Sequence, residues 1–149
     1  MKFFLYNFIL ILLLPLIIFR LIIRSLKDKD YIKNISNRFG IYENETESNP
    51  VWFHAVSLGE VISSETLIKK ILNDNKVVLS VSTPTGYRQA KKLFGSSLHI
   101  VYAPWDIYFF VNNFLKKFNP KALIIFETEI WPSMIKASSA KKIPIFLTN

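Results

Sequence analysis

Glu60, Glu127 and Glu129 are the side chains best placed to do chemistry, because each follows an apolar run. Val51-Trp52-Phe53 continues through His54, Ala55 and Val56 and stops at Ser57-Leu58-Gly59; Val61, Ile62, Leu67, Ile68 and Ile71 then recur at helical spacing. That pattern puts Glu60 in the first turn of a helix at the carboxyl end of a strand. In open α/β sheets ligands bind outside that edge. A carboxylate there can take a proton from a substrate, or it can simply complement the positive end of the helix dipole. On the residues alone the second role is favoured, since acids are common in first helical turns. Glu127 follows Leu123-Ile124-Ile125-Phe126, and Glu129 is two residues further on. If the extended path persists, both point to one side. Two acids at the end of an apolar strand are poorly explained by stability, because a buried carboxylate is costly unless paired or hydrogen-bonded. That favours a functional role for at least one. A metal site there lacks a third oxygen ligand at clear spacing.

The other strand ends carry hydroxyls and glycines. Thr83 before Pro84 reads as a helix start, a hydroxyl cap followed by proline at the first helical position. The free N–H groups of such a terminus can also hold a phosphate. Ser57, Gly59, Thr83, Thr85, Gly86 and Glu129 stand at these strand ends as candidates for substrate contact, and Glu60 and Glu127 as candidates for catalysis, with the plain cap still favoured for Thr83 on the residues alone. Trp131-Pro132 opens a further helix, with Trp131 read as a packing residue. No GxGxxG follows the first strand and no GxxxxGK[ST] occurs, which argues against a dinucleotide fingerprint or a P-loop. There is no cysteine, so disulfides, thiolate metal sites and cysteine nucleophiles drop out. His54 and His99 are far apart and lack metal-ligand spacing.

The elements that must position these residues alternate. Strands are expected at Val51–Val56, Val77–Ser82, Leu98–Tyr102, Ala122–Phe126 and Ile143–Leu147. Helices are expected at Glu60–Leu72, Pro84–Phe94, Trp105–Phe118 and Trp131–Ala140. Continuous apolar strands alternating with helices specify an α/β, Rossmann-like parallel sheet covered on both faces. Ahead of it, Phe3 to Ile23 is apolar all round, interrupted only by Asn7 and Arg20. It is long enough for a membrane helix, in which Pro15 is tolerable. It exceeds the usual apolar core of a signal peptide, and no small-residue cleavage site follows. Arg20, Arg24, Lys27, Lys29, Lys33 and Arg38 crowd behind it, which places the rest of the chain in the cytoplasm. The expected organisation is a membrane-anchor helix over 1–25, interfacial or spanning, a basic then acidic linker over 26–50 containing a short helix that ends at Gly40, and the α/β domain over 51–149. A strand at the very end without its crossover helix reads as the N-terminal part of something longer.

The net charge of +8 and a mean hydropathy of +0.25 fit an anionic partner and a membrane. Nucleic acid is disfavoured, because the positive charge clusters behind the apolar segment rather than interleaving with aromatics on one face.

Taken together, Arg38-Phe39-Gly40, His54-Ala55-Val56-Ser57-Leu58-Gly59-Glu60, Thr83-Pro84-Thr85-Gly86, Tyr102-Ala103-Pro104-Trp105-Asp106 and Glu127-Thr128-Glu129-Ile130-Trp131-Pro132, behind an apolar N-terminal segment, resemble the N-terminal half of the 3-deoxy-D-manno-octulosonic acid (Kdo) transferases. The resemblance implies a GT-B fold, two Rossmann-like domains with the active cleft between them. It implies transfer of Kdo from the donor CMP-Kdo to the lipid A precursor lipid IVA at the cytoplasmic face of a bacterial inner membrane. Configuration would be inverted and no metal or other cofactor used. By the same resemblance the N-terminal domain takes the acceptor, Glu60 accepts the proton and Glu127 stabilises the transition state. The family runs on past Asn149 into a donor-binding domain that this sequence does not contain. The alternatives are a non-catalytic, membrane-anchored lipid-binding fragment, or a GT-B transferase with another acceptor.

Overall fold

Val51–His54 (β1) and Val77–Val81 (β2) are buried at every position, as strands covered on both faces must be. In the structure, a computed structural model describing residues 2–43, 49–127 and 130–149, they belong to one five-stranded parallel sheet. The other strands are His99–Tyr102 (β3), Ala122–Phe126 (β4) and Ile145–Thr148 (β5), and the order is β3-β2-β1-β4-β5. Phe53 stands opposite Leu79 on one side and Ile124 on the other. The expected α/β class holds, and strand order reverses between β1 and β4, the position where such sheets open a crevice.

Alternation along the strands divides the core in two. Phe53, Leu79 and Ile100 face Val61 of α2 (Leu58–Ser63), Ile68 of α3 (Glu65–Leu72), and Ala90 and Phe94 of α4 (Pro84–Phe94). Trp52, Val78, Leu123 and Ile125 face Phe114, Leu115 and Phe118 of α5 (Tyr108–Phe118), and Met134 and Ala137 of α6 (Pro132–Ala140).

Two expected helices are corrected. The single helix over Glu60–Leu72 is two, broken at the buried Ser64, whose hydroxyl bonds to the Val61 carbonyl and competes with the regular ladder. The helix expected from Trp105 starts at Tyr108, because the Trp105 N–H bonds to the Arg38 carbonyl and residues 103–107 turn instead.

Residues 29–43 pack on the sheet through two 3₁₀ turns, Lys29–Tyr31 and Ile35–Phe39. Tyr42 enters the core beside Phe114 and Phe118, and its hydroxyl donates to the Tyr102 carbonyl at 3.1 Å. Arg38 is buried, donates to the Ser82 carbonyl at 3.0 Å and lies over the Tyr102 ring at 4.6 Å; burial pulls its pKa down. The second turn ends at Gly40 with φ +74°, and a Cβ there would run into the Phe110 carbonyl.

The apolar segment forms α1 (Lys2–Ser25). It is apolar all round, yet one side is sheltered: Phe3, Tyr6, Asn7, Leu10, Leu14, Ile17, Leu21 and Ser25 are partly or fully buried, at spacings of mostly three or four. Phe4, Phe8, Leu12, Leu16 and Phe19, among others, are exposed.

Candidate functional site

At the carboxyl end of β1 the chain turns into α2 through a reciprocal cap. Ser57 is the N-cap and its hydroxyl accepts from the Glu60 N–H at 3.3 Å. The Glu60 carboxylate reaches back and accepts from the Val56 N–H at 2.7 Å. This is a capping box widened by one residue, since the reciprocal bond goes to the residue before the cap. Glu60 is 6 % exposed, so its carboxylate is held in place rather than waving in solvent. Ser57-Leu58-Gly59-Glu60 has the S-x-x-E pattern of such a box, a sequence signal for Glu60's second role that the reading by dipole alone passes over.

The start of α4 stands beside the start of α2. Thr83 caps α4, accepting from the Gly86 N–H at 3.1 Å, and Thr85 donates to the Thr83 hydroxyl at 3.3 Å. A Cβ on Gly86 would come within 3.3 Å of the Ser57 carbonyl carbon and 3.4 Å of the Leu58 nitrogen. Glycine at 86 is what lets the two helix starts sit in contact. Gly59 differs: it is exposed and a Cβ would meet nothing closer than the Ser57 hydroxyl at 3.9 Å. Packing does not demand glycine at 59, and its absence of side chain leaves the first turn of α2 bare. Ser57, Gly59, Glu60, Thr83 and Gly86 are thus brought to one place, with exposed Thr85 at its rim.

Glu127 lies at the end of β4, across the switch point from Glu60. Its N–H donates to the Thr148 carbonyl at 2.7 Å, and its φ of 59° is left-handed. The extended path that would have aligned it with Glu129 therefore ends at Phe126, where the backbone turns once β4 pairing with β5 is complete. Glu129 itself lies outside the described residues. Glu127 is exposed and lines a cavity of about 420 Å³ with Ser63, Thr66, Lys70 and Thr148; Glu60 does not line it. The two acids flank one crevice without sharing a cavity.

Beneath this edge runs a buried polar line. Trp52 Nε1 donates to Ser80 Oγ at 2.7 Å, and Ser80 Oγ lies 2.8 Å from His54 Nδ1. The Ser80 hydroxyl accepts from Trp52 and keeps both its proton and a second lone pair for Nδ1, so the direction of the Ser80–His54 bond follows the imidazole tautomer. His54 is fully buried, and burial pushes its pKa down to about 3. Its Nε2 has no hydrogen-bond partner among the described residues, and its ring meets Trp131 edge-on at 4.8 Å. The packing role read for Trp131 is what this contact shows.

Asp106 is the site-edge residue to which the sequence reading gave no task. Its Oδ2 accepts from the Ser133 N–H at 3.0 Å and from the Tyr6 hydroxyl at 2.8 Å, and its Oδ1 accepts from the Met134 N–H at 2.8 Å. It caps α6 from another loop, because Trp131 offers no side-chain cap. Burial raises its pKa, opposed by those three hydrogen bonds. Asn7 caps α5 in the same fashion, its Oδ1 accepting from the Tyr108 N–H at 2.7 Å. The signal was an aspartate in an otherwise apolar stretch, but its helix lies 26 positions downstream, beyond the reach of any local capping pattern. Among the described residues no group of three or more His, Asp or Glu stands ready to hold a metal ion.

Comparison with known proteins bears on this arrangement. Residues 33–149 match the family described as 3-deoxy-D-manno-octulosonic-acid transferase (kdotransferase). The chain is 32 % identical over 151 aligned positions to the 3-deoxy-D-manno-octulosonic acid transferase of Haemophilus influenzae, covering 98 % of this chain and 35 % of that protein. It is 34 % identical over 128 positions to a bifunctional glycosyltransferase/methyltransferase of Fusobacterium nucleatum, covering 83 % of this chain and 20 % of that protein. It is 30 % identical over 142 positions to a probable mitochondrial 3-deoxy-D-manno-octulosonic acid transferase of Arabidopsis thaliana, covering 91 % and 31 %. The chain thus spans about a third of the length of the Haemophilus protein. The match over residues 33–149, which takes in the whole five-stranded parallel sheet, means that this chain belongs to the Kdo transferase family and carries its N-terminal domain.

Proposed function

We propose that this chain is the acceptor-binding part of an inverting transferase that moves Kdo from CMP-Kdo to lipid IVA, with Glu60 as the general base. The observation that carries the reading is the Glu60 carboxylate, buried at the carboxyl end of β1 beside the switch point and aimed by the Val56 N–H. A sugar hydroxyl is a poor nucleophile until a base takes its proton as the new bond forms. In the reaction the acceptor oxygen bonds to the anomeric carbon of Kdo, the bond from that carbon to the cytidylate breaks, and its electron pair leaves with the phosphate. The hydroxyl proton goes to Glu60. The bare first turn at Gly59 leaves room for the acceptor, and the start of α4 at Thr83, Thr85 and Gly86 presents its positive end, with exposed Thr85 at the rim, to a phosphate on it. Glu127, across the crevice, is the second functional acid, and Glu129 a contact to substrate. The donor is taken by the second domain that the resemblance implies. The apolar α1 with its trailing basic residues holds the protein at the inner membrane, sheet domain in the cytoplasm.

A second reading has its own support: a carboxylate in a capping box can be purely structural. The two separate under substitution. Gln at this position of a capping box still accepts from a backbone N–H, so Glu60→Gln keeps the fold on either reading. For a general base it lowers kcat by roughly 10²–10⁴. The measurement is kcat and Tm of Glu60→Gln in the complete enzyme, with Glu65→Gln on α3 as control. Retention of more than about a tenth of the activity, well short of that loss, assigns Glu60 to the cap and makes Glu127 the next carboxylate to test.

A further inference from the structure

By length and composition α1 could cross a bilayer. Crossing would carry its two ends to opposite sides of a hydrocarbon core about 30 Å thick. The contacts of α1 are incompatible with that. At its amino end Tyr6 bonds to Asp106, and Asn7 bonds to the Tyr108 N–H and Ser133 Oγ. Phe3 lies against Tyr108 and under the Lys136 ammonium. At the carboxyl end Ser25 is buried, and the helix packs on the 3₁₀ turn Lys29–Tyr31. That turn is itself tied down, since Arg88 of α4 pairs with Asp28 and Asp30 and the Tyr102 hydroxyl donates to the Asp30 carbonyl at 3.1 Å. Tyr6 and Ser25 are about 28 Å apart along the helix, and both ends rest on one domain.

We propose that α1 does not span the membrane but lies in its plane, docked along its sheltered side, with the opposite side sunk into an anionic phospholipid surface. Charge complementarity names the occupant: exposed Lys2 precedes the apolar side and exposed Arg20, Arg24 and Lys27 flank its far end, where they meet lipid phosphates. The seat of α1 is the carboxyl edge of the sheet, residues 105–107 and 130–132. An in-plane α1 therefore holds the edge that carries Glu60 at the lipid interface, instead of leaving the domain to swing below a spanning helix.

This rests on the reading of α1 as a membrane anchor, and the arms of the test keep the two apart. The chain has no cysteine, so single cysteines report without background. First, the chain is sedimented with phosphatidylglycerol-containing vesicles; failure to co-sediment overturns both readings. Second, Lys2→Cys, which leaves the docked side untouched, is treated in spheroplasts and in inverted membrane vesicles with a membrane-impermeant maleimide. Labelling only after inversion is expected. Labelling from the outside of spheroplasts means a spanning helix, and overturns the in-plane arrangement while leaving the anchor standing. Third, Asn7→Cys/Ser133→Cys is oxidised in the same membranes; an intramolecular disulfide is expected, and its absence when Lys2→Cys is also labelled from outside confirms the spanning outcome.

Discussion

Gly40 and Gly59 both stand where a short helical element ends or begins, and they are glycine for different reasons. At Gly40 the backbone is left-handed and a Cβ would strike the Phe110 carbonyl. Gly40→Ala must bend the second 3₁₀ turn away from α5 and loosen Arg38 and Tyr42 beside it. Left-handed strain alone costs about 1–3 kcal/mol, and the clash adds to it, so the variant should show a lowered Tm or fail to accumulate. At Gly59 the backbone is ordinary and the space is open. Gly59→Ala should melt no lower than the parent and up to a few degrees higher, since alanine is the better helix former by about 1 kcal/mol. If the acceptor lies over that turn, the same substitution raises KM in the complete enzyme. An unchanged KM would remove Gly59 from the binding surface. Gly40 could be read as a turn residue from its place behind a short helix, but its contact with Phe110 could not, because the two are 70 positions apart.

At the scale of elements, strand order and helix caps carry the site. α2 caps itself locally, whereas α5 and α6 are capped from a distance by Asn7 and Asp106. Asp106 in effect bolts three pieces together: the loop after β3, the start of α6 and the amino end of α1. Asp106→Ala removes a cap worth about 0.5–2 kcal/mol and strands the Tyr6 hydroxyl. The expected result is a Tm lower by several degrees, since 1 kcal/mol moves a domain of this size by about 2–4 °C or somewhat more. Tyr6→Phe should cost less, about 1 kcal/mol for one hydrogen bond. A double variant no worse than Asp106→Ala alone would show that the two act through the same contact; additive losses would show that they do not.

For the whole molecule, the buried His54 couples stability to pH. Its folded pKa of about 3 lies below its unfolded value, about 6.5. The unfolded chain therefore binds the extra proton between those values, so stability is fully present above the unfolded pKa and falls as pH drops toward the folded one. Below about pH 6.5 the loss approaches 1.4 kcal/mol per pH unit. His99, half-buried and lowered by burial and by Lys91 and Lys117, adds in the same direction. Denaturation in detergent at about pH 7 and about pH 5, a window above most carboxylate titration, should show the wild-type loss reduced in His54→Gln. An equal pH dependence in the two proteins would mean that His54 is protonated in the fold. The variant also tests the Trp52–Ser80–His54 line, since an amide can either accept from the Ser80 hydroxyl or donate to it.

The parallel α/β domain, the apolar N-terminal helix, the caps at Ser57 and Thr83 and the position of Glu60 at a strand's carboxyl edge were all legible in the residues. They depend on periodicities and capping chemistry that act over a few neighbours, and those are printed in the sequence. The break at Ser64 and the late start of α5 were not legible. The first turns on one hydroxyl choosing a backbone carbonyl, the second on a hydrogen bond from Trp105 to Arg38, a partner across the fold. Glu127's turn away from an extended path was likewise decided by how β4 finishes against β5. Above all, composition made α1 a helix that fits a membrane, but its orientation toward the domain was decided by Tyr6 and Asn7 meeting Asp106, Tyr108 and Ser133. Those partners lie roughly 100 residues or more away in the chain and become neighbours only because the sheet gathers its loops at one edge.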